Sequence, residues 1–340
     1  MIRSETRIRV LVADDSELFR EVLSRVIGAD PLFEVVAVAA DGNAAARLAR
    51  DLKPDVITMD LNMPDADGFS GIARIMADTP TPIMVLTANK AEVVGFKALS
   101  LGALDILEKP EASADLEVYG AEIRSRLRLI SGVKVIRHLR GLRERKLPLP
   151  PGKRRRADVV VVGASLGGPR ALATLLRGLP PTFPVGIAVV QHIADGFTEG
   201  LASWLTQECH LKVREAADGD ALKPGHVLLA PSGRHLLIGE GVVRLSHGPP
   251  VDTFKPSVNP LFLSAATAYG ARACGVILTG MGHDGAAGLR VLHDAGGATL
   301  AQDEQSSAVF GMAKAAIDLG AVDRVLPLDD IPGALVALTS

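Results

Sequence analysis

Short apolar runs alternate with stretches of helical periodicity over the first 125 residues. The runs indicate β-strands because they are rich in Val, Ile and Leu and end at polar residues. Alternating strands and helices predict an α/β domain with a parallel sheet covered on both faces. The predicted strands are Ile8–Ala13, Val35–Ala39, Val56–Met59, Ile83–Leu86 and Leu104–Leu107, and the helical patterns lie at 17–28, 43–52, 68–77 and 91–101.

A second set of strands and helices starts at the stretch ADVVVVGASLGGPRAL, residues 157–172. The β-branched run Val159–Val162 stops at glycine and is followed by a helical leucine pattern, which predicts a strand–turn–helix corner. Ser165 then lies at the carboxyl end of a strand, near the unpaired N–H groups of a helix. On this stretch alone, three interpretations are open: a nucleophile or bound anion at Ser165, a degenerate dinucleotide fingerprint, and a tight turn without chemistry.

Two later strands end at residues with matching chemistry. The run Val185–Val190 leads to His192, and the run Gly275–Leu278 leads to a glycine-rich loop containing Asp284. If the sheet is parallel there, Ser165, His192 and Asp284 meet at one edge, as a nucleophile, a general base and an orienting carboxylate for acyl transfer.

Simpler interpretations of these residues remain open. His192 is also explained as an ordinary loop histidine and Asp284 as a turn residue, and the adjacent His283 competes for the role of base. The second strand lacks the acidic end residue of a dinucleotide site, which disfavours that interpretation.

Acidic residues also collect at predicted strand ends in the first domain. Asp14 and Asp15 follow the first strand and Asp60 the third, while Thr87 and Lys109 follow the fourth and fifth. Three neighbouring carboxylates favour a hard cation, most simply Mg²⁺, and a nearby hydroxyl and ammonium suit a phosphoryl group on Asp60. The alternative is that the aspartates cap helices and the lysine lies on the surface.

The length of 340 residues predicts two domains, and composition marks a connector between them. We expect domains at 1–125 and 157–340, joined by a basic linker at 126–156. Residues 134–156 carry ten Lys and Arg against one Glu, whereas both flanking domains are acidic. Residues 127–142 have an amphipathic helical pattern that suits a solvated hinge, or a helix that meets an acidic partner or a membrane surface.

Composition also narrows the functional class. No apolar run is long enough to cross a bilayer, and the first residues lack the apolar core of a signal peptide. Cys209 and Cys274 have no metal or disulfide spacing, which is typical of free thiols in a reducing compartment. The acidic charge of the second domain disfavours a DNA reader. We therefore expect a cytoplasmic protein without nucleic-acid partners or membrane insertion.

The first domain resembles the receiver domain of two-component response regulators. The resemblance depends on the pair Asp14-Asp15, the block DLNMPDADG at 60–68, the pair Thr87-Ala88 and Lys109 before Pro110. It implies a flavodoxin-like (βα)5 fold that is phosphorylated with the help of Mg²⁺. One departure is Ile106, because receivers often have an aromatic switch residue at this position.

The receiver resemblance assigns a role to each acidic or polar residue of this edge. It implies Asp60 as the phosphoryl acceptor, Asp14 and Asp15 as the metal-binding pair, Asn62 as a further ligand through its carbonyl, and Thr87 and Lys109 as phosphate sensors.

Five motifs mark the second domain: GASLGGP at 163–169, VVQH at 189–192, Pro256-Ser257, TGMGHDGA at 279–286 and SSAVFGM at 306–312. With them, the domain resembles the catalytic domain of chemotaxis protein-glutamate methylesterases. Two departures are Leu166, where many relatives have Thr, and Ala313, where relatives commonly have Pro.

This resemblance implies a doubly wound α/β hydrolytic domain with a mostly parallel sheet. The implied reaction is hydrolysis of glutamate γ-methyl esters on chemoreceptor helices, with glutamine deamidation as a second activity and no cofactor for the esterase step. Ser165 is implied as nucleophile, His192 as base, Asp284 as orienting carboxylate and the Met281 amide as part of the oxyanion hole.

Together the two resemblances predict a phosphorylation-gated enzyme of chemotaxis adaptation. Its expected partners are methyl-accepting chemoreceptors and a chemotaxis histidine kinase, and the unphosphorylated receiver is expected to block the Ser165 edge. The alternative hypothesis is a regulator whose second domain binds a partner without turnover, which Leu166 keeps open.

Overall fold

The computed structural model describes residues 7–63, 68–88, 93–110, 114–133 and 156–340. The chain divides into two compact units, Met1–Gly141 and Leu142–Ser340. Residues 134–155 of the predicted basic linker lie outside the described residues. No described helix is both long and apolar enough to cross a membrane.

The first unit contains a five-stranded parallel sheet in the order β2-β1-β3-β4-β5. Its middle strands are buried along their whole length because helices cover both faces. The strands are β1 Ile8–Ala13, β2 Phe33–Ala39, β3 Val56–Asp60, β4 Ile83–Thr87 and β5 Asp105–Glu108; the helices are α1 Glu17–Gly28, α2 Gly42–Leu52, α3 Gly68–Asp78, α4 Val93–Leu101 and α5 Leu116–Ser131.

The predicted strands and helices of this unit are confirmed to within a few residues, with one difference at the last helix. The leucine pattern from residue 127 indicated a connector helix, but α5 begins at Leu116. The reason is a cap: the Asp115 carboxylate accepts hydrogen bonds from the N–H groups of Glu117 and Val118. Residues 127–131 are therefore the last turns of a helix that begins eleven residues earlier.

The second unit contains a seven-stranded parallel sheet in the order β14-β13-β12-β6-β7-β9-β8. The sequence analysis predicted β6, β7 and β12 of this sheet but neither its other four strands nor the separate antiparallel hairpin β10–β11. The strands are β6 Val159–Ala164, β7 Gly186–Gln191, β8 Lys212–Glu215, β9 His226–Leu229, β10 His235–Ile238, β11 Val243–Ser246, β12 Ala273–Ile277, β13 Ala298–Gln302 and β14 Arg324–Leu326; the helices are α6 Gly168–Arg177, α7 Thr198–Glu208, α8 Val258–Tyr269, α9 Ala286–Asp294, α10 Met312–Asp318 and α11 Ile331–Thr339.

Both sheets have a position where the strand order reverses direction. In the first sheet this point lies between β1 and β3, and in the second it lies between β6 and β12. Chain connections leave the sheet in opposite directions there, so a crevice opens outside the carboxyl ends of the strands. Asp14 and Asp60 lie at the ends of β1 and β3, and Ser165 and the loop with Asp284 follow β6 and β12.

Candidate active site and phosphoryl-acceptor site

Strand register brings Ser165 and His192 together. The last paired residues of β6 and β7 are Ala164 and Gln191, so the next residue on each strand lies side by side with the other. The His192 N–H donates to the Ala164 carbonyl at 2.9 Å. The Gln191 side-chain amide donates to the carbonyls of Ser165 and His192, at 2.7 and 2.8 Å. The predicted convergence of these two strand ends is therefore present.

The loop after β12 contacts Ser165 on the side opposite to β7. The Ser165 N–H donates to the Thr279 carbonyl at 3.0 Å. A Cβ atom at Gly280 would lie 2.8 Å from the Ser165 Cβ and would overlap the Met312 sulfur. Only glycine permits this close approach, which explains one glycine of the glycine-rich loop that contains Asp284.

His192 is oriented by Asp284. Its Nε2 lies 2.8 Å from the carboxylate Oδ2, and an ionised carboxylate only accepts, so Nε2 carries the proton. Nδ1 is then the basic nitrogen, and it is buried without a hydrogen-bond partner among the described residues. The Phe254 ring stacks on the imidazole with the ring centroids 4.1 Å apart and the planes 3° from parallel.

The Asp284 carboxylate is fully buried and caps the start of α8. It accepts hydrogen bonds from the Ser257 hydroxyl at 2.7 Å and from the N–H groups of Val258 and Asn259 at 2.7 and 3.1 Å, in addition to His192. Burial alone raises the pKa of Asp284, but the hydrogen bonds from His192, Val258 and Ser257 outweigh it and lower the pKa below its ordinary value. The group is a stable anion at a helix N-terminus.

Two residues of the site were not predicted to act there. Phe254 was absent from the sequence reasoning, and no local pattern marks its stacking on His192. Ser257 appeared only as part of a family motif. Its position directly before an apolar helical run is a helix N-cap signal. Its hydroxyl, however, bonds to Asp284 instead of its own helix.

The remaining residues singled out near this edge are His283, Met281, Leu166 and Ala313. The His283 side chain is 74% exposed and lies 3.8 Å from Asp252, so it does not take the position of His192 beside the carboxylate. The Met281 side chain is exposed, and its amide forms no hydrogen bond with any described residue. The Leu166 carbonyl accepts a hydrogen bond from the Thr279 hydroxyl at 3.0 Å, and Ala313 is buried in α10.

Three carboxylates converge at the reversal point of the first sheet. One oxygen from each of Asp14, Asp15 and Asp60 lies within 4.8 Å of the others. Lys109 Nζ lies 2.7 Å from Asp14 and 2.9 Å from Asp60. Asp14 and Asp60 are buried and Asp15 is exposed. Among the described residues, Lys109 therefore pairs with two of the three carboxylates, while the Arg20 guanidinium donates to the backbone carbonyls of Asp14 and Asp15.

Burial and neighbouring charges both shift the pKa values of groups in this cluster. Burial raises the pKa of Asp14 above its ordinary value and the Asp60 charge adds to this, although Lys109 opposes it. Burial alone lowers the pKa of Lys109, but its hydrogen bonds to Asp14 and Asp60 raise the pKa overall. Clustered oxygens with an open, exposed member fit a Mg²⁺ ion, which prefers a few carboxylates together with water and phosphate oxygens.

The remaining predicted residues of this unit lie around the cluster. The Lys109 N–H donates to the Thr87 carbonyl at 2.8 Å, which joins the ends of β4 and β5. The Asn62 N–H donates to Asp60 Oδ1 at 3.4 Å. Ile106 is buried in β5. Thr87, Asn62 and Lys109 therefore lie on the same edge as Asp60.

Comparison with known proteins agrees with both halves of this architecture. Residues 160–335 match the family model described as CheB methylesterase, and residues 10–119 match the response regulator receiver domain. The chain belongs to the CheB methylesterase family. The family expectation, the two-domain α/β fold and the enzyme class of protein-glutamate methylesterase and glutaminase are thereby confirmed.

Individual relatives extend the match over the whole chain. "Protein-glutamate methylesterase/protein-glutamine glutaminase 2" of Anaeromyxobacter dehalogenans (strain 2CP-C) is 74% identical over 98% of this chain and 97% of its own length. A similarly named protein 4 of Myxococcus xanthus (strain DK1622) is 43% identical over 97% and 96%. The crystal structure of the Thermotoga maritima CheB methylesterase catalytic domain is 40% identical, with a TM-score of 0.52, and covers 54% of this chain and 98% of that one.

Proposed function

We propose that this chain is a phosphorylation-activated hydrolase of bacterial chemotaxis adaptation. It removes methyl groups from glutamate γ-methyl esters on the cytoplasmic helices of chemoreceptors, and it deamidates glutamines there. The observation that carries the proposal is the His192–Asp284 pair at the strand end beside Ser165. Its cytoplasmic location follows from the location of these substrate helices.

Ser165 acts as the nucleophile and His192 Nδ1 as the base. Because Asp284 holds the proton on Nε2, Nδ1 presents a lone pair. Nδ1 takes the Ser165 Oγ proton as Oγ bonds to the substrate carbonyl carbon, and the imidazole ring becomes positively charged. The buried Asp284 anion stabilises that charge. The same proton then passes to the departing methoxide, which leaves as methanol, or to the departing amine, which leaves as ammonia.

The second half of the reaction uses the same groups. A water molecule loses a proton to His192 Nδ1 as it attacks the acyl carbon, and the Ser165–acyl bond breaks with return of the proton to Oγ. The Met281 amide, which has no acceptor among the described residues, donates to the oxyanion in both steps. One such donor contributes about 3–4 kcal/mol to the transition state in a known hydrolase.

The first unit supplies the switch. Asp60 accepts a phosphoryl group from a histidine kinase, and Lys109 and Thr87 detect it. Asp14, Asp15, Asp60 and the Asn62 carbonyl would hold Mg²⁺, which neutralises carboxylate and phosphoryl charge when it is bound. Phosphorylation shifts the chain toward an active population, because it places new negative charge within reach of Lys109.

Methanol release from methylated chemoreceptors tests the hydrolase. We expect Ser165→Ala to abolish turnover, because no other group replaces the attacking oxygen, whereas Ser203→Ala on the exposed side of α7 retains it. A protein that binds methylated receptor without releasing methanol would instead support the regulator without turnover.

Stimulation by a small phosphodonor tests the switch. We expect Asp60→Ala to retain basal methanol release but to lose the stimulation, since the phosphoryl acceptor is missing. Asp51→Ala, at an exposed aspartate of α2, should respond like the unmodified chain. Stimulation that persists in Asp60→Ala would contradict phosphorylation at this residue.

A further inference from the structure

We infer that His235, a buried histidine outside the triad, is a positioning residue for the esterase reaction. It acts by holding residues 247–257, hereafter the 247–257 loop, against both His192 and Asp284. The inference rests on the proposed function, because it assigns a role in that same reaction. His235 lies on β10 of the antiparallel hairpin and is 3% exposed.

The His235 ring joins the two ends of this loop. Its Nδ1 accepts the Ser257 N–H at 3.1 Å, and its Nε2 lies 2.9 Å from the Pro249 carbonyl. A carbonyl only accepts, so Nε2 donates, and the ring is neutral with its proton on Nε2. Both ring nitrogens are therefore used for loop contacts, and neither is available to a substrate.

The end of the loop next to Ser257 is connected directly to the triad. The same Ser257 whose N–H bonds to His235 donates its hydroxyl to Asp284 Oδ1 at 2.7 Å. The following N–H, of Val258, donates to Asp284 Oδ2 at 2.7 Å, which is also the oxygen bonded to His192. A displacement of Ser257 would therefore change the hydrogen bonds that orient the imidazole.

The middle of the loop covers the base. Phe254 stacks face to face on His192, and parallel rings in contact restrict rotation of the imidazole. Two further bonds close the loop on itself and on the hairpin: Lys255 Nζ donates to the His247 carbonyl at 3.1 Å, and the Gly233 N–H donates to the Lys255 carbonyl at 3.3 Å. Only His235 bridges from Pro249 to Ser257 among the described contacts.

The inference predicts a loss in kcat rather than in substrate binding. In His235→Leu, the Ser257 N–H and Pro249 carbonyl lose their partner and the loop relaxes. Misplacement of catalytic groups by about 1 Å costs about 10²-fold in rate, and we expect a fall in kcat of that order with KM unchanged. In His235→Asn, the side-chain oxygen replaces Nδ1 as acceptor for Ser257, and we expect most of kcat to return.

The measurement uses the full chain with methylated chemoreceptor, and a matched histidine as control. His226 also contacts a proline carbonyl, that of Pro224 at 2.9 Å, but it lies on β9 away from the loop. We expect His226→Leu to retain kcat. The NMR resonance of the His192 Nε2 proton gives an independent readout, which should shift in His235→Leu and return in His235→Asn.

Three results would overturn the inference: unchanged kcat in His235→Leu, an equal fall in the Leu and Asn variants, or a rise in KM alone. If His235→Leu does not fold, His235→Gln takes its place, because its longer amide can still donate to the Pro249 carbonyl but places no acceptor at the Nδ1 position, and it is combined with Ser257→Ala. Coupled effects on kcat support the inference, because both residues act through Asp284, and additive effects refute it. Full methanol release in Ser165→Ala would instead refute the proposed function itself. That failure is distinct from failure of the His235 inference, because Ser165→Ala leaves His235 and the 247–257 loop unchanged.

Discussion

The two sites of this molecule are built around buried aspartates in opposite electrostatic conditions. Asp284 accepts four hydrogen bonds from one imidazole, one hydroxyl and two N–H groups, and its pKa is lowered. Asp60 shares one ammonium with Asp14, next to a third carboxylate, and the pKa of Asp14 is raised. One anion is fully compensated, and the other belongs to an excess of negative charge.

This difference corresponds to two kinds of chemistry. A carboxylate that only orients a base has to keep the same charge and geometry through every turnover. All of its hydrogen bonds are therefore formed before substrate binds. A group that receives a phosphoryl group has to change its charge. A surplus of carboxylates is stable only with added cations, which makes the site responsive to metal and to phosphorylation.

The largest expected effect is in Asp284→Asn. All four partners of Asp284 are hydrogen-bond donors, and the NH₂ group of an asparagine cannot accept from them. His192 then no longer keeps its proton on Nε2, and Nδ1 is no longer free to act as the base. The corresponding change in a serine protease lowers kcat about 10⁴-fold, and we expect a similar fall in methanol release. Asp294→Asn is the control, since Asp294 is hydrogen bonded but lies on the surface. A fall no greater than that of the control would show that Asp284 does not orient the base.

The next effect concerns stability of the first unit. In Lys109→Met the carboxylates lose their ammonium, and we expect the free energy of opening of β3 to fall by about 3 kcal/mol, at the lower end for a broken buried pair because Lys109 is partly exposed. Amide hydrogen exchange at Val56–Asp60 measures it, with Lys97→Met on α4 as control.

Asp15→Asn should raise the free energy of opening of β3, because it removes one of three like charges. If Lys109→Met leaves hydrogen exchange of β3 unchanged, the negative charges of this site are not held by the lysine, and the electrostatic contrast with Asp284 is wrong.

A smaller effect is expected in Ser257→Ala, which removes one of the four donors to Asp284. A hydrogen bond to a charged group contributes about 1.5–3 kcal/mol, so we expect kcat to fall about tenfold to a hundredfold. Thr267→Ala on the same helix is the control, because its exposed hydroxyl donates to the Leu263 carbonyl and to no other residue that the structure describes. Unchanged kcat would mean that the remaining donors suffice.

The smallest effect is a pH dependence of the second unit. Because the folded pKa of Asp284 lies below its ordinary value of 3.8, this group stabilises the fold above that pH and the contribution is lost as pH falls through the folded pKa. Urea unfolding followed by Trp204, the single tryptophan, measures it at about pH 5 and about pH 3. The free energy difference between the unmodified chain and Asp284→Asn should shrink at the lower pH. A constant difference would show that Asp284 is not held as an anion.

Local sequence patterns were sufficient for the strands that carry the two sites and for the residues directly after them. Apolar runs of five or six residues define β1, β3, β6 and β7, and the residue that follows each run has to lie at the carboxyl edge of the sheet. Asp14, Asp60, Ser165 and His192 were therefore found by counting along the chain. Helix α5 was placed too late because its leucine pattern is clearest after the Asp115 cap.

The contacts that complete each site depend on residues far apart in sequence, and only the tertiary structure decided them. Asp284 lies 27 residues from Ser257 and 92 from His192, and nothing in the local pattern says that its carboxylate caps α8. The proton position on His192, the Phe254 ring over it and the His235 bridge depend in the same way on which loops meet. Local periodicity follows from backbone geometry, whereas a side-chain partner is chosen by packing and by the requirement that every buried polar group finds one.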